Sequence, residues 1–105
     1  MSQTELKTVQ NAVKNGLYFF TQHASIEAIA EDIKEDDVKE AVLSSQIVEN
    51  YPDHRRGACC LLSGSTKEKR TIHIVCTTKK PTAIITVYEP KPPKWVTPLK
   101  RGEKQ

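Results

Sequence analysis

The hydrophobic period of this chain changes once, near residue 46, and that change limits the folds open to it. Before it, apolar residues recur at helical intervals: Leu6, Val9, Ala12 and Val13, then Ile26, Ile29, Ala30 and Ile33, then Val38, Ala41, Val42 and Leu43. Such spacing lays an apolar stripe along one side of a helix. After it, short apolar runs alternate with turn residues. Ile47 to Tyr51 is closed by Pro52-Asp53, and Ala58 to Leu62 is followed by Ser63-Gly64-Ser65. Thr71 to Thr77 and Thr82 to Tyr88 are separated by Lys79-Lys80-Pro81. Connections this short join neighbouring antiparallel strands. The prediction is an α+β fold, with two to three N-terminal helices packed on one face of a four-stranded antiparallel sheet.

Local signals mark the ends of these elements. Ser2-Gln3-Thr4-Glu5 has capping-box spacing, and Asn15-Gly16 stops the first helix. The second helix begins near Thr21, and Glu35-Asp36-Asp37 supplies acidic groups where the dipole of the third favours them. Leu17-Tyr18-Phe19-Phe20 reads as a brief strand or an apolar tether. Beyond Tyr88 come Pro90, Pro92, Pro93 and Pro98, then Lys100-Arg101-Gly102-Glu103-Lys104. That composition predicts an extended, mobile basic end, with Trp95 pinning part of it to the domain. A chain of 105 residues suits a single domain. The predicted division is an N-terminal helix over 1–18, the α+β domain over 19–95 and a flexible tail over 96–105.

A formal charge of +3 is too small to mark a nucleic-acid binder, although it tolerates phosphate better than an acidic surface would. The N-terminus has no basic segment leading into an apolar core, and no apolar run is long enough to cross a bilayer. A cytoplasmic protein without a membrane partner is the expectation. The three cysteines, Cys59, Cys60 and Cys76, form no Cys-x-x-Cys pair and read as small buried hydrophobes. A metal site joining them to His23 or His73 lacks a ligand spacing, so no metal and no cofactor is expected.

Strand alternation nominates a site. Ile72, Ile74 and Cys76 share one face of the third predicted strand, and Thr71, His73, Val75 and Thr77 share the other. In the fourth, Ala83, Ile85 and Val87 oppose Thr82, Ile84, Thr86 and Tyr88. His73, Thr86 and Tyr88 then lie on a half-open face able to receive a nucleotide, unless a bulge exchanges the faces. Each candidate also has a plainer reading. His73 is a satisfied sheet histidine, and His23, in phase with Ile26, Ala30 and Ile33, is a buried helix cap. Tyr51 and Tyr88 are core aromatics with hydroxyls at the rim. Arg55-Arg56 is a solvated pair, His54 an exposed loop residue, and Tyr18, Phe19 and Phe20 belong to the core.

Several segments carry a resemblance. Phe20-Thr21-Gln22-His23-Ala24, Ile33 and Asp37-Val38 resemble the opening of the bacterial domain of unknown function 4258 family. Ile47-Val48-Glu49-Asn50-Tyr51-Pro52, Cys60-Leu61-Leu62-Ser63-Gly64 and His73-Ile74-Val75 are similar to its middle. Ile85-Thr86-Val87-Tyr88-Glu89-Pro90 with Lys94-Trp95 is similar to its end. The resemblance runs from about residue 19 to 95 and implies kinship with the RelE and ParE group of small toxins. It therefore implies a toxin-like messenger-RNA endonuclease or a noncatalytic relative. Two departures stand out. Glu27 occupies a position that is usually basic in the family, and Ala30-Glu31-Asp32 replaces a frequent Glu-Arg-Gly triplet.

The implied chemistry is metal-independent transesterification, in which the ribose 2′-hydroxyl attacks the adjacent phosphate. It needs a base, an acid and a cation for the developing phosphorane charge. His73 or His23 would exchange protons, and Tyr88 would stack on a base or position the leaving oxygen. Arg55 and Arg56 would hold phosphate, with Tyr51 beside them in substrate binding, and Lys79 and Lys80 would follow the backbone. The implied partners are RNA or the ribosome, and an antitoxin protein covering the open sheet face. Glu27 and Glu31 favour the alternative, a noncatalytic RNA- or protein-binding module. A metal-binding or redox protein using His23, His73 and the cysteines is a third class.

Overall fold

A computed structural model describes residues 3–92 and 95–102. Ser2, and with it the predicted capping box, lies outside them. Helix α1 (Gln3–Lys14) ends at the predicted stop. Gly16 adopts φ 76°, its N–H donates to the Val13 carbonyl at 3.2 Å, and the Leu17 N–H donates to Ala12 at 2.8 Å. These bonds satisfy two carbonyls that the helix end leaves over, through a left-handed residue that glycine adopts without strain.

Seven further elements build the domain. They are β1 (Tyr18–Phe20), α2 (Gln22–Ala30), α3 (Glu35–Leu43), β2 (Gln46–Tyr51), β3 (Cys59–Ser65), β4 (Thr71–Thr77) and β5 (Thr82–Tyr88). The sheet has five strands in the order β1-β5-β4-β3-β2 and is mixed, which corrects the expected four antiparallel strands. β2 to β5 form the predicted meander, while β1 runs parallel to β5 with Tyr18 opposite Thr82. A parallel neighbour needs a long crossover, and α2, α3 and the meander provide it. Tyr18 and Phe20 pack against the core, whereas Phe19 is exposed, contrary to its expected burial.

The three helices cover one sheet face. α3 sits directly on β3, because a Cβ at Gly64 would lie 1.8 Å from the Ala41 carbonyl oxygen. Gly64 is therefore a packing residue inside the strand, not the turn that Ser63-Gly64-Ser65 suggested. The reversal falls later, where the Thr66 N–H donates to the Arg70 carbonyl at 2.9 Å and Lys69 takes φ 66°.

Helix α2 presents a different side from the one predicted. Ala24 and Ala28 are buried, whereas Ile26 and Ile29 are 60% and 81% exposed. Thr21 accepts the Ala24 N–H at 3.1 Å as N-cap, and its own N–H donates to Ile84 at 3.0 Å. β1 pairs with β5 only as far as Ile84, leaving later amides of that edge open. Glu27 accepts the Val87 N–H at 3.1 Å, and Glu31 accepts the Glu89 N–H at 2.9 Å. Alanines bring the helix close enough for these carboxylates to reach, and isoleucines at the same positions would hold it away. Arg70 closes the far end by donating to the Glu31 and Asp32 carbonyls at 2.5 and 2.7 Å.

A bulge at Ile85 corrects the face pattern of β5. Val75 is paired with Thr86 but Cys76 with Ile84, so Ile84 and Val87 both enter the core, and Ile85 does not. Thr86 and Tyr88 nonetheless stay on the His73 side, with Tyr88 directly opposite His73. After β5, residues 95–101 fold into a hairpin of β6 (Trp95–Thr97) and β7 (Lys100–Arg101). Among the described residues, no helix is long and apolar enough to cross a membrane.

Candidate functional site

Register places Glu49, Tyr51, Leu61, Ser63, His73, Val75, Thr86 and Tyr88 on the sheet face away from the helices. His73 is fully buried there, although it projects from the predicted open surface. Its Nε2 lies 2.6 Å from the Pro98 carbonyl oxygen, and its Nδ1 lies 3.3 Å from the Tyr88 hydroxyl. A carbonyl can only accept, so Nε2 carries the hydrogen, and in neutral imidazole Nδ1 accepts from Tyr88. Both ring nitrogens are engaged, and in this arrangement neither faces an incoming substrate.

The hairpin provides the cover. The Trp95 indole meets the imidazole edge-on at a centroid separation of 4.5 Å and is 2% exposed. Arg101 stacks over the indole at 4.5 Å and holds Glu49 through two bonds, at 2.5 and 2.8 Å. Tyr51 donates its hydroxyl to the same carboxylate. Bonding to Arg101 pulls the Glu49 carboxyl down to about 2, against burial, which acts in the opposite direction. Burial and the Glu49 bond push the Tyr51 phenol up to about 12. Burial also raises Tyr88, while the neighbouring Trp95 indole and the Arg101 charge oppose it. The Trp95 indole N–H is buried beside the Tyr88 phenol and reaches its oxygen only outside strict hydrogen-bonding geometry.

The predicted phosphate-binding residues gather at one end of the sheet. Arg55 and Arg56 lie in the loop between β2 and β3, and Lys79 and Lys80 lie in the loop between β4 and β5. Thr78 ties the loops together, its N–H and hydroxyl donating to the Ala58 carbonyl at 3.1 and 3.3 Å. A Cβ at Gly57 would sit 3.9 Å from Lys79 Nζ. Burial raises the Cys59 thiol, while Arg56 and Lys79 both pull it down, which puts the two cations beside the same residue. All four cations are exposed, and none enters an ion pair among the described residues. Tyr51 lies at the β2 end next to this loop. His73 is four positions from Thr77 along β4, about 13 Å at the usual strand rise.

His23 does not join His73. It opens α2 on the helical side of the sheet, is 67% exposed and pairs with Glu27 at 3.3 Å. This corrects its reading as a buried cap, a role that Thr21 fills. The cysteines are free and buried, Cys60 and Cys76 on the core side. Among the described residues, no three His, Cys, Asp or Glu side chains are grouped as metal ligands would be.

Sequence reasoning missed Glu49 and Arg101. Glu49 carried a faint signal, since its i+2 relation to Tyr51 puts both on one strand face. Arg101 carried none, standing in a basic tail without a period. Residues 20–89 match the family model described as a domain of unknown function (DUF4258), a span that includes His73, Tyr88 and both cationic loops and stops before the hairpin. No curated protein and no solved structure matches the chain.

Proposed function

The chain belongs to the DUF4258 family of domains of unknown function, and from that premise we propose that it is a noncatalytic RNA-binding module on a RelE/ParE-toxin-like scaffold. The observation that carries this reading is the exposed cationic end built from Arg55, Arg56, Lys79 and Lys80, none of which is ion-paired among the described residues. Arginine forks grip phosphate oxygens in pairs, and lysines add point charges along the backbone. Against cleavage stand the two engaged nitrogens of His73 and the Glu27 pairing of His23 on the other side of the sheet.

The test is binding of a labelled single-stranded RNA in the presence of a chelator, across a salt series. Binding with the RNA left intact is expected. Arg55→Ala and Lys79→Ala should each weaken it and flatten the log–log salt slope by roughly 0.7, the single-strand value per phosphate contact. No binding at low salt, or indifference to both substitutions, would overturn the proposal.

One observation favours the second reading, a metal-independent endoribonuclease of the RelE/ParE type. His73 and Tyr88 are hydrogen-bonded on one face and carry the acid–base and stacking groups that such a reaction uses. Fragments ending in 2′,3′-cyclic phosphate, produced by the wild type and not by His73→Ala, would establish that reading and displace the first. RNA or the ribosome is the partner in either case, an antitoxin peptide on the sheet face goes with the second, and both suit a cytoplasmic protein.

A further inference from the structure

The sheet face that carries His73 is continuous with the cationic end. Tyr51, Cys59 and Thr77 form the row next to the two loops, and Ser63, His73 and Tyr88 form a row further along the same face. An RNA backbone held at the loops therefore meets a surface bearing two phenols and an imidazole. Rings of this kind stack on bases without regard to sequence. In this structure the hairpin occupies that surface, with Trp95 standing edge-on against His73.

The hairpin's attachment is of a kind that a ligand can replace. Among the described residues, β6 and β7 pair with each other and with no strand of the five-stranded sheet. They are held by the Pro98 carbonyl on His73, by Trp95 and by the Arg101–Glu49 pair. A base on His73 and Tyr88 would compete for the position of Trp95.

Resting on the RNA-binding reading, we infer that the His73 face is the base-binding half of the site, and that RNA binds it by displacing the C-terminal hairpin. The closed hairpin lowers the apparent affinity by the fraction of molecules that are open. Trp95 is the single tryptophan of the chain, so its emission reports the hairpin directly.

The experiment titrates wild-type protein, Glu49→Gln and Arg101→Gln with an oligouridylate while following Trp95 emission and its quenching by acrylamide. In the wild type, RNA should shift the emission to the red and raise quenching. Both variants break the same ion pair while changing net charge in opposite directions. Each should expose Trp95 before RNA is added and bind RNA about threefold more tightly, the scale of one partly exposed pair. Binding by the wild type with Trp95 unchanged, or affinities that follow net charge in opposite directions, would overturn the hairpin competition and leave the RNA-binding reading standing. No binding by any of the three proteins would overturn both.

Discussion

Glu27 on α2 accepts the backbone N–H of Val87 on β5 at 3.1 Å, across a gap that a strand would otherwise fill. With Glu31 on Glu89 it completes an edge that β1 covers only in part. The two glutamates thus act as backbone acceptors. Their carboxylates lie at the open edge of β5, where Glu27 also helps to raise the Tyr88 phenol. They are no obstacle to phosphate binding at the loops, where the cations stand apart from them.

Replacing Glu27 should separate this role from a surface one. Glu27→Leu leaves the Val87 amide, on a fully buried residue, without its acceptor. The expected loss is about 1–3 kcal/mol. Glu27→Gln keeps an oxygen in place and should lose less. Urea unfolding midpoints at constant m-value measure both, and equal midpoints for the two variants would refute the acceptor role.

Gly64 is expected to resist substitution although it lies in an extended strand. A methyl group there meets the Ala41 backbone, which cannot swing aside as a side-chain tip would. Gly64→Ala should destabilise the fold by about 1–3 kcal/mol, the range for overpacking a close contact. Denaturant unfolding checks this. A neutral result would mean that α3 shifts on β3 at little cost.

Acid should open the hairpin through Glu49. Its carboxyl falls from an ordinary value of 4.5 to about 2 when Arg101 holds it. A depressed acid stabilises the closed form fully above the ordinary value, and that contribution disappears as pH falls from about 4.5 towards 2. Trp95 emission should therefore shift to the red across this window at low ionic strength. The shift should be absent in Glu49→Gln, and added salt should shrink the stabilisation being lost, because the pair is partly exposed. A shift of equal size in Glu49→Gln would assign the transition to another group.

Much of the fold was legible because local periodicity and capping chemistry act over a few residues. The Gly16 helix stop, the acidic first turn of α3 and the strands Thr71–Thr77 and Thr82–Tyr88 all lie where their own residues put them. The side of α2 that is buried was not legible. Ile26 and Ile29 mark the stripe by hydrophobicity, yet the sheet accepts Ala24 and Ala28 because unpaired β5 amides need Glu27 and Glu31. The bulge at Ile85 was hidden for a similar reason, since every residue of β5 is compatible with an extended strand.

The candidate site divides in the same way. His73 and Tyr88 share a face because strand register joins them, and the alternation of Thr71 to Thr77 already implied that side for His73. By itself the sequence determined the helix and strand types, the apolar core face and the two cationic loops, all of which follow from neighbours close in the chain. Only the tertiary structure decided that His73 is covered, that Arg101 finds Glu49, and that His23 faces away from both. Those outcomes depend on contacts between residues far apart in sequence, whose energies exist only once the sheet has brought them together.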